Sequence, residues 1–465
     1  MMTDAIKIFI DGFSGVMFGY FIIVNFFYMI LIAISWKRLM EFVRIVNSDI
    51  TLTSSYTKPI SVIVPAYNEQ ETIIDNIKSL LELDYPLLEV IVVNDGSSDE
   101  TLGRTLSHFK LRKIDLELNI QIPCNEIRGV YSSFEMSNLV IVDKVNGGKA
   151  DALNAGINVS KYPLVCAIDA DCVIEKDALL RIVKPFLKYD ETVAVGGIVR
   201  IANGCEIRDG KLIKARIPKR AIEIFQIVEY FRAFLTSRVG WEAMNALLII
   251  SGAFGLFKKS AVVAVGGYQK TIGEDMELTL RMHEHFRKKG TPYKIEFASD
   301  AVCWTQAPDT LKGLESQRIR WHRGLADGLL RHRRMIFSPA FGKVGMLSMP
   351  YFFFVEMLGP VIEAIGYIML AISIYMGFLS EKFIYIFLMA FLFGILFSFS
   401  AIFFEQISYK RYNGIREILL LFLFSLLEQF LYRQLTVFWR IKAFWNYKKG
   451  SKQWGTIQRK SFEQG

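Results

Sequence analysis

The run from Gly15 to Ser35, GVMFGYFIIVNFFYMILIAIS, carries no charged residue. A bilayer-spanning helix needs about 20 consecutive apolar residues, and a soluble core helix is rarely so long and so uniform. Trp36, Lys37 and Arg38 follow at once, an aromatic anchor and then positive charge. Basic residues collect on the cytoplasmic side of spans, so the chain is expected to enter the cytoplasm after residue 36. The same pattern returns near the other end. Between Met357 and Phe404 the formal charges are Glu363, Glu381 and Lys382 alone. That stretch divides into two expected spans, 357–379 and 383–404. A third is expected at 417–439, with Glu428 and Arg433 inside it. Ionisable groups in a span are costly and tend to face a cavity or a partner, although long side chains also reach the interface from near an end.

The basic tail beyond Phe438 and the basic loop at Lys410, Arg411 and Arg416 both read as cytoplasmic, which one complete span cannot join. Either 417–439 is partly re-entrant, or Val344–Met357 contributes to a further crossing. The predicted layout is an anchor and linker over 1–55, a cytosolic domain over 56–335, a membrane region over 336–445 and a basic tail over 446–465. The plasma membrane is the expected location. Five cysteines, Cys124, Cys166, Cys172, Cys205 and Cys303, form no CxxC pair. Scattered and odd in number, they argue against a disulfide framework or a structural zinc site.

The middle of the chain alternates strand-like and helix-like runs, which implies an α/β domain with a largely parallel sheet. Ligands of such sheets bind beyond the carboxyl ends of the strands. Two polar loops fall there. Ala66, Tyr67 and Glu69 follow the apolar run Ile60–Val64, and Asp95 follows Leu88–Val93. Asp95 could accept hydrogen bonds from a nucleoside or serve as a turn residue. NGGKADALNAG, from Asn146 to Gly156, places two glycines before Lys149 at a helix start. It is not GxxxxGK[ST], which disfavours a P-loop nucleotidase.

The strand Leu164–Ile168 delivers Asp169 and Asp171, whose alternation sets both carboxylates on one side. Two hard oxygen ligands suit Mg²⁺ or Mn²⁺. Glu274 and Asp275 follow Gly273. Further on, Gln317, Arg320 and Trp321 share one helix face by their spacing. A guanidinium there suits a diphosphate, and a tryptophan offers a flat apolar platform for a sugar. The stretch Ala221–Arg238 is amphipathic, with Lys219, Arg220, Arg232 and Arg238 placed to meet lipid headgroups. The net charge of 55 − 46 = +9 then fits membrane lipids better than nucleic acid, for which no motif is present. Lys113–Met136 is longer than a usual connection and reads as an extra hairpin or a regulatory flap.

VPAYNE, VNDGSSD, the DAD triplet, GED and QRIRW occur in one order. In that order they resemble the membrane-embedded, processive family 2 glycosyltransferases, which include cellulose, hyaluronan, chitin and poly-N-acetylglucosamine synthases. The resemblance is close over about 55–335 and loose over the flanking spans. It implies a glycosyltransferase-A domain with interface helices, flanked by membrane helices. It further implies that Asp95 and the Ala66–Glu69 loop hold uridine, with Lys149 near the nucleotide. Asp169 and Asp171 would hold Mg²⁺ or Mn²⁺, and Asp275, with Glu274 beside it, would be the general base. Gln317, Arg320 and Trp321 would hold the pyrophosphate and border the acceptor. Related synthases often carry TED where this chain has GED.

The expected activity is inverting transfer from UDP-glucose or UDP-N-acetylglucosamine to a growing β-linked polysaccharide, with export across the membrane. Its partners would be the UDP-sugar, the polysaccharide and membrane lipids, with room for a small membrane subunit. The alternatives are a glycolipid synthase and a non-enzymatic scaffold.

Overall fold

A computed structural model describes residues 2–46, 57–208, 211–377 and 381–448. The end of the expected linker and nearly all of the expected basic tail lie outside these residues.

The α/β expectation holds. Ten strands form one sheet: β1 (Ile60–Ala66), β2 (Leu88–Asn94), β3 (Arg112–Ile114), β4 (Ile127–Ser132), β5 (Leu139–Lys144), β6 (Leu164–Ile168), β7 (Cys172–Ile174), β8 (Thr192–Ile201), β11 (Phe254–Lys258) and β12 (Lys294–Thr305). A separate small hairpin pairs β9 (Glu206–Arg208) with β10 (Lys211–Lys214). The order in the large sheet is β3-β4-β5-β2-β1-β6-β11-β8-β12-β7. The central strands β5, β2, β1 and β6 run parallel, while β11 is antiparallel to both β6 and β8.

Strand alternation divides the core into two layers. On β1, Ile60, Val62 and Val64 join one buried cluster and Ile63 the other. On β2, Leu88, Val90 and Val92 part from Ile91 and Val93 in the same way. Both faces are therefore covered, as a parallel sheet requires.

The long connection at 113–136 resolves into the hairpin alternative, because β3 and β4 extend the sheet antiparallel beyond β5. Its loop is pinned beneath the helix Lys149–Val159. Asn158 Oδ1 accepts from the backbone of Gln121 and Ile122, each at 3.0 Å, and Ile122 is buried.

Two helices, Ile8–Glu41 and Glu381–Ser408, are long and apolar enough to cross a membrane. Val344–Met357 and Gly359–Tyr375 would supply a third span as a pair bent by 41°. The stretch 417–439 is not the single helix expected. Ile415–Leu427 stops, Leu431 turns left-handed at φ 61°, and Tyr432–Lys448 begins a new helix. The polar residues Glu428 and Gln429 lie in this break. Burying an unpaired charge is costly, and Glu428 and Arg433 are both paired inside the protein. Glu428 takes Arg232 in a bidentate pair, and Arg433 Nε donates to Glu363 at 2.8 Å.

The α/β domain is seated against these helices. Leu39, Ala401, Ile402 and Phe404 share a buried cluster with Ile224, Ile227, Val228 and Phe231 of the amphipathic helix Ala221–Phe231. Ser35 Oγ donates to the Thr236 carbonyl at 2.6 Å, and Arg38 meets Glu242 at 3.0 Å. The basic residues of this segment do not all face outward as expected. Arg220 meets Asp309, Arg232 meets Glu428, and Arg238 lines an internal cavity.

At the far end of the seat, Arg200 and Glu405 are 2.6 Å apart with 2% and 0% of their side chains exposed. Arg411 reaches Glu175 at 2.6 Å. Arg200→Ala would leave Glu405 charged and buried without its partner. It is expected to destabilise the protein by about 3–5 kcal/mol, read as a lower melting temperature of the detergent-solubilised protein.

Candidate active site

The polar loops at the strand ends are built from one another. Asn68 takes a left-handed conformation (φ 56°), its backbone N–H donates to Ser97 Oγ at 3.0 Å, and its Oδ1 accepts from the Ser98 backbone at 2.9 Å. An asparagine tolerates that conformation better than most residues. The Asp95 backbone donates to the Ala66 carbonyl at 2.9 Å. Both expected loops thus form one rim at the ends of β1 and β2.

Asp95 itself points into the protein and is 3% exposed. Its carboxylate accepts from Lys144 Nζ at 2.6 Å and from the Gly147 and Gly148 backbone at 3.0 and 2.7 Å. It therefore shapes the loop before Lys149. Ala66 and Glu69 are buried at the rim, while Tyr67 is 52% exposed and free to lie on a flat ligand.

Around Lys149 the remaining residues converge. It opens its helix, and its ammonium lies 2.6 Å from Asp169 and 3.4 Å from Glu274. Burial alone would lower its pKa, but Asp169 and Glu274 outweigh burial and hold it above the ordinary lysine range. Burial, with Asp169 alongside, pushes the Asp171 carboxyl up to about 6. Glu274 is likewise raised, chiefly by burial.

Donor atoms of Asp169, Asp171 and Cys172 all lie within 4.8 Å of one another. The two carboxylates present hard oxygens from one short turn, which suits a hard divalent cation. The thiol adds a softer atom that sequence reasoning did not single out.

Glu274 and Asp275 begin the helix Glu274–Lys289, where the positive end of the helix dipole favours carboxylates. Asp275 Oδ1 accepts from the Met276 backbone at 2.8 Å and Oδ2 from the Gly252 backbone at 3.1 Å. These bonds fix the carboxylate while it borders the cavity. Gly273 explains the GED variation. A Cβ there would stand 2.9 Å from the Gly324 Cα. The backbone before the two acids rests directly on the helix Leu311–Arg331, which carries Gln317, Arg320 and Trp321.

On that helix, Trp321 is 43% exposed, which leaves its face available. Arg318 supports it from behind, 4.6 Å from the ring centre, and is itself held by Glu229. Gln317 is buried, and its Oε1 has no hydrogen-bond partner among the described residues.

A cavity of 1910 Å³ is lined by Lys149, Asp169, Asp171, Glu274, Asp275, Gln317, Arg320 and Trp321. Ala66, Tyr67, Glu69 and Asp95 are outside its lining. The same cavity continues past Tyr28 and Asn25 of the first helix to Gln429 and Arg433. Sequence reading missed Lys144, Gly252 and Arg318 as organising residues. Only Arg318 carried a signal, through its place inside QRIRW.

Three family profiles match. Residues 61–119 match "Glycosyl transferase family 2", 124–324 "Glycosyltransferase like family 2" and 267–461 "Chitin synthase". The chain is 34% identical over 277 residues to the poly-beta-1,6-N-acetyl-D-glucosamine synthase of Staphylococcus epidermidis. It is 34% identical over 274 residues to that of Staphylococcus aureus (strain COL). Each alignment covers 58% of this chain and 56% of the relative, so the chain spans little over half the length of these relatives. Among solved structures, a mannosyltransferase from Pyrobaculum calidifontis aligns with a TM-score of 0.49 and 19% identity. That alignment covers 88% of this chain and 99% of the other.

Two outcomes are expected. Gly273→Thr pushes the acids away from the Gly324 backbone and should slow sugar transfer about tenfold or more, measured as UDP release. Because Asp171 titrates near 6, it is ionised above that pH and protonated below it. The apparent affinity for Mn²⁺ should therefore fall as pH drops through 6, measured by metal titration of the purified protein.

Proposed function

We propose that this chain, whose residues 61–324 belong to the family 2 glycosyltransferases, is an inverting, processive polysaccharide synthase. It would transfer N-acetylglucosamine from its UDP donor to a growing β-linked chain. One observation carries the reading: a single cavity is lined by the carboxylates Asp169, Asp171 and Asp275 and also by residues of the membrane helices. A product formed at the first set of residues can pass the second without leaving the protein. The relatives' poly-beta-1,6-N-acetyl-D-glucosamine synthesis supports this donor over UDP-glucose.

In this reading Asp275 takes the proton from the acceptor hydroxyl as that oxygen attacks the anomeric carbon. One proton acceptor suffices for inversion, and an α-linked donor gives a β product. The leaving diphosphate gains charge as its bond to the sugar breaks. Lys149 and Arg320 would balance that charge. Asp169 and Asp171 would hold a divalent cation, which supplies further charge for the diphosphate when bound. The Mg²⁺ and Mn²⁺ alternatives both suit these oxygens. Tyr67 and the rim organised by Asp95 would take the nucleoside. Trp321 would carry the terminal sugar of the acceptor, with Gln317 beside it.

The catalytic domain would face the cytoplasm, since Lys37 and Arg38 follow the apolar run of the first helix at the end that packs on the domain. The surrounding spans would place the enzyme in the plasma membrane, in contact with lipids and open to a small membrane subunit.

The test is turnover of the membrane-reconstituted protein with a panel of UDP-sugars, followed by linkage analysis. A β-linked polymer from UDP-N-acetylglucosamine is expected. A short, lipid-soluble product would overturn the polymer reading in favour of a glycolipid synthase. Asp275→Asn should lower transfer by about 10²–10⁴-fold while UDP still binds. Undiminished turnover in that variant would remove Asp275 from its role.

A further inference from the structure

Among the buried and half-buried arginines, Arg238 differs from the others named here. Arg200, Arg232, Arg318 and Arg433 each rest on a carboxylate: Glu405, Glu428, Glu229 and Glu363. Arg238 has no such pair among the described residues. Its Nη1 is buried without a hydrogen-bond partner among the described residues. Its guanidinium lies 3.7 Å from the centre of the Phe234 ring and lines the main cavity. Burial lowers its pKa to about 10, against the opposing pull of Asp275 and Tyr230. It therefore remains a cation at neutral pH.

A buried guanidinium N–H left unsatisfied is costly unless a ligand completes it. The surroundings indicate which ligand. Tyr230 lies 5.8 Å from Phe234 and 6.2 Å from Trp321, so three aromatic rings run from Arg238 to the exposed tryptophan. Asp275 is the carboxylate whose charge acts on Arg238. Lys149, assigned above to the diphosphate, rests on Asp169 and Glu274. Arg238 also ends a π-helical turn, Arg232–Arg238, a local widening frequent at functional sites.

We propose, within the polysaccharide-synthase reading, that Arg238 is a binding residue for the acceptor. Its guanidinium donates to an oxygen of a neutral sugar at the growing end, and Tyr230 and Phe234 extend the platform begun by Trp321. The oxygen belongs to a ring hydroxyl or to an acetamido carbonyl. Both are neutral acceptors of the hydrogen bond that Arg238 lacks.

The test uses the full chain in detergent or nanodiscs, with Arg238→Ala, Arg238→Gln and Arg238→Lys. Binding of N-acetylated chito-oligosaccharides, their de-N-acetylated counterparts and cello-oligosaccharides is read from tryptophan fluorescence, and UDP affinity is measured in parallel. Arg238→Ala is expected to weaken saccharide binding about tenfold or more, with UDP affinity within about twofold and Arg238→Lys recovering part of the loss. A loss confined to the N-acetylated series assigns the acetamido carbonyl. A loss across all neutral series assigns a hydroxyl.

Unchanged saccharide binding, or an equal loss of UDP affinity, overturns the proposal. A lowered melting temperature in Arg238→Ala leaves the decision to Arg238→Gln, which keeps polar bulk at the site. A wild-type protein that binds saccharides but transfers from no UDP-sugar overturns the synthase reading. The binding comparison still decides on Arg238.

Discussion

Like charges confined together must be neutralised or protonated, and this condition governs the centre of the protein. Asp169, Asp171, Glu274 and Asp275 all line one cavity. Lys149 supplies the resident cation, touching Asp169 and Glu274 from two different parts of the chain. The strand-end turn and the start of the helix Glu274–Lys289 are thereby drawn to one point. The loop before Lys149 has its own support, since Asp95 ties down Gly147 and Gly148 while balancing the buried Lys144. The acids are close because a cation holds two of them there, and Asp171 keeps a raised pKa through its burial first and the nearby Asp169 second.

The same rule organises the contact between the α/β domain and the apolar helices packed on it. Apolar packing supplies area, but it does not fix register. The charge pairs Arg200–Glu405, Arg411–Glu175 and Arg232–Glu428 do so, since each leaves a buried or half-buried charge unmatched if the two parts slide. Glu175 follows β7, which itself follows the Asp169–Asp171 turn. The connection 409–414 between two membrane-region helices is therefore held only a few residues from the carboxylates.

Much of this was legible in the sequence. Continuous apolar runs bounded by polar turns marked β1, β2 and β6, and such runs fit strands covered on both faces. Asp169, Asp171, Asp275 and Trp321 were visible because motif order is a one-dimensional property. What escaped depended on partners distant in the chain. Asp95 looks like a ligand residue until Lys144 and two glycine amides are found on it. Arg232 and Arg238 belong to one amphipathic segment and both border the cavity, yet Arg232 meets Glu428 while Arg238 has no carboxylate partner among the described residues. The break at 428–431 was masked because hydropathy averages over the turn that polar residues impose.

Gly273 and Gly324 touch backbone to backbone, and this contact has a geometric consequence. With no side chain between them, the start of one helix and the middle of another are separated by the thickness of a peptide chain alone. Asp275 and Trp321, two and three residues from that contact, would then form two jaws of one gauge. In a transferase built this way, the oxygen of a seated sugar that reaches the acid is selected by the gap of that gauge. The position of each new bond would be written in main-chain contact, and specificity could change by widening the gap without altering either jaw.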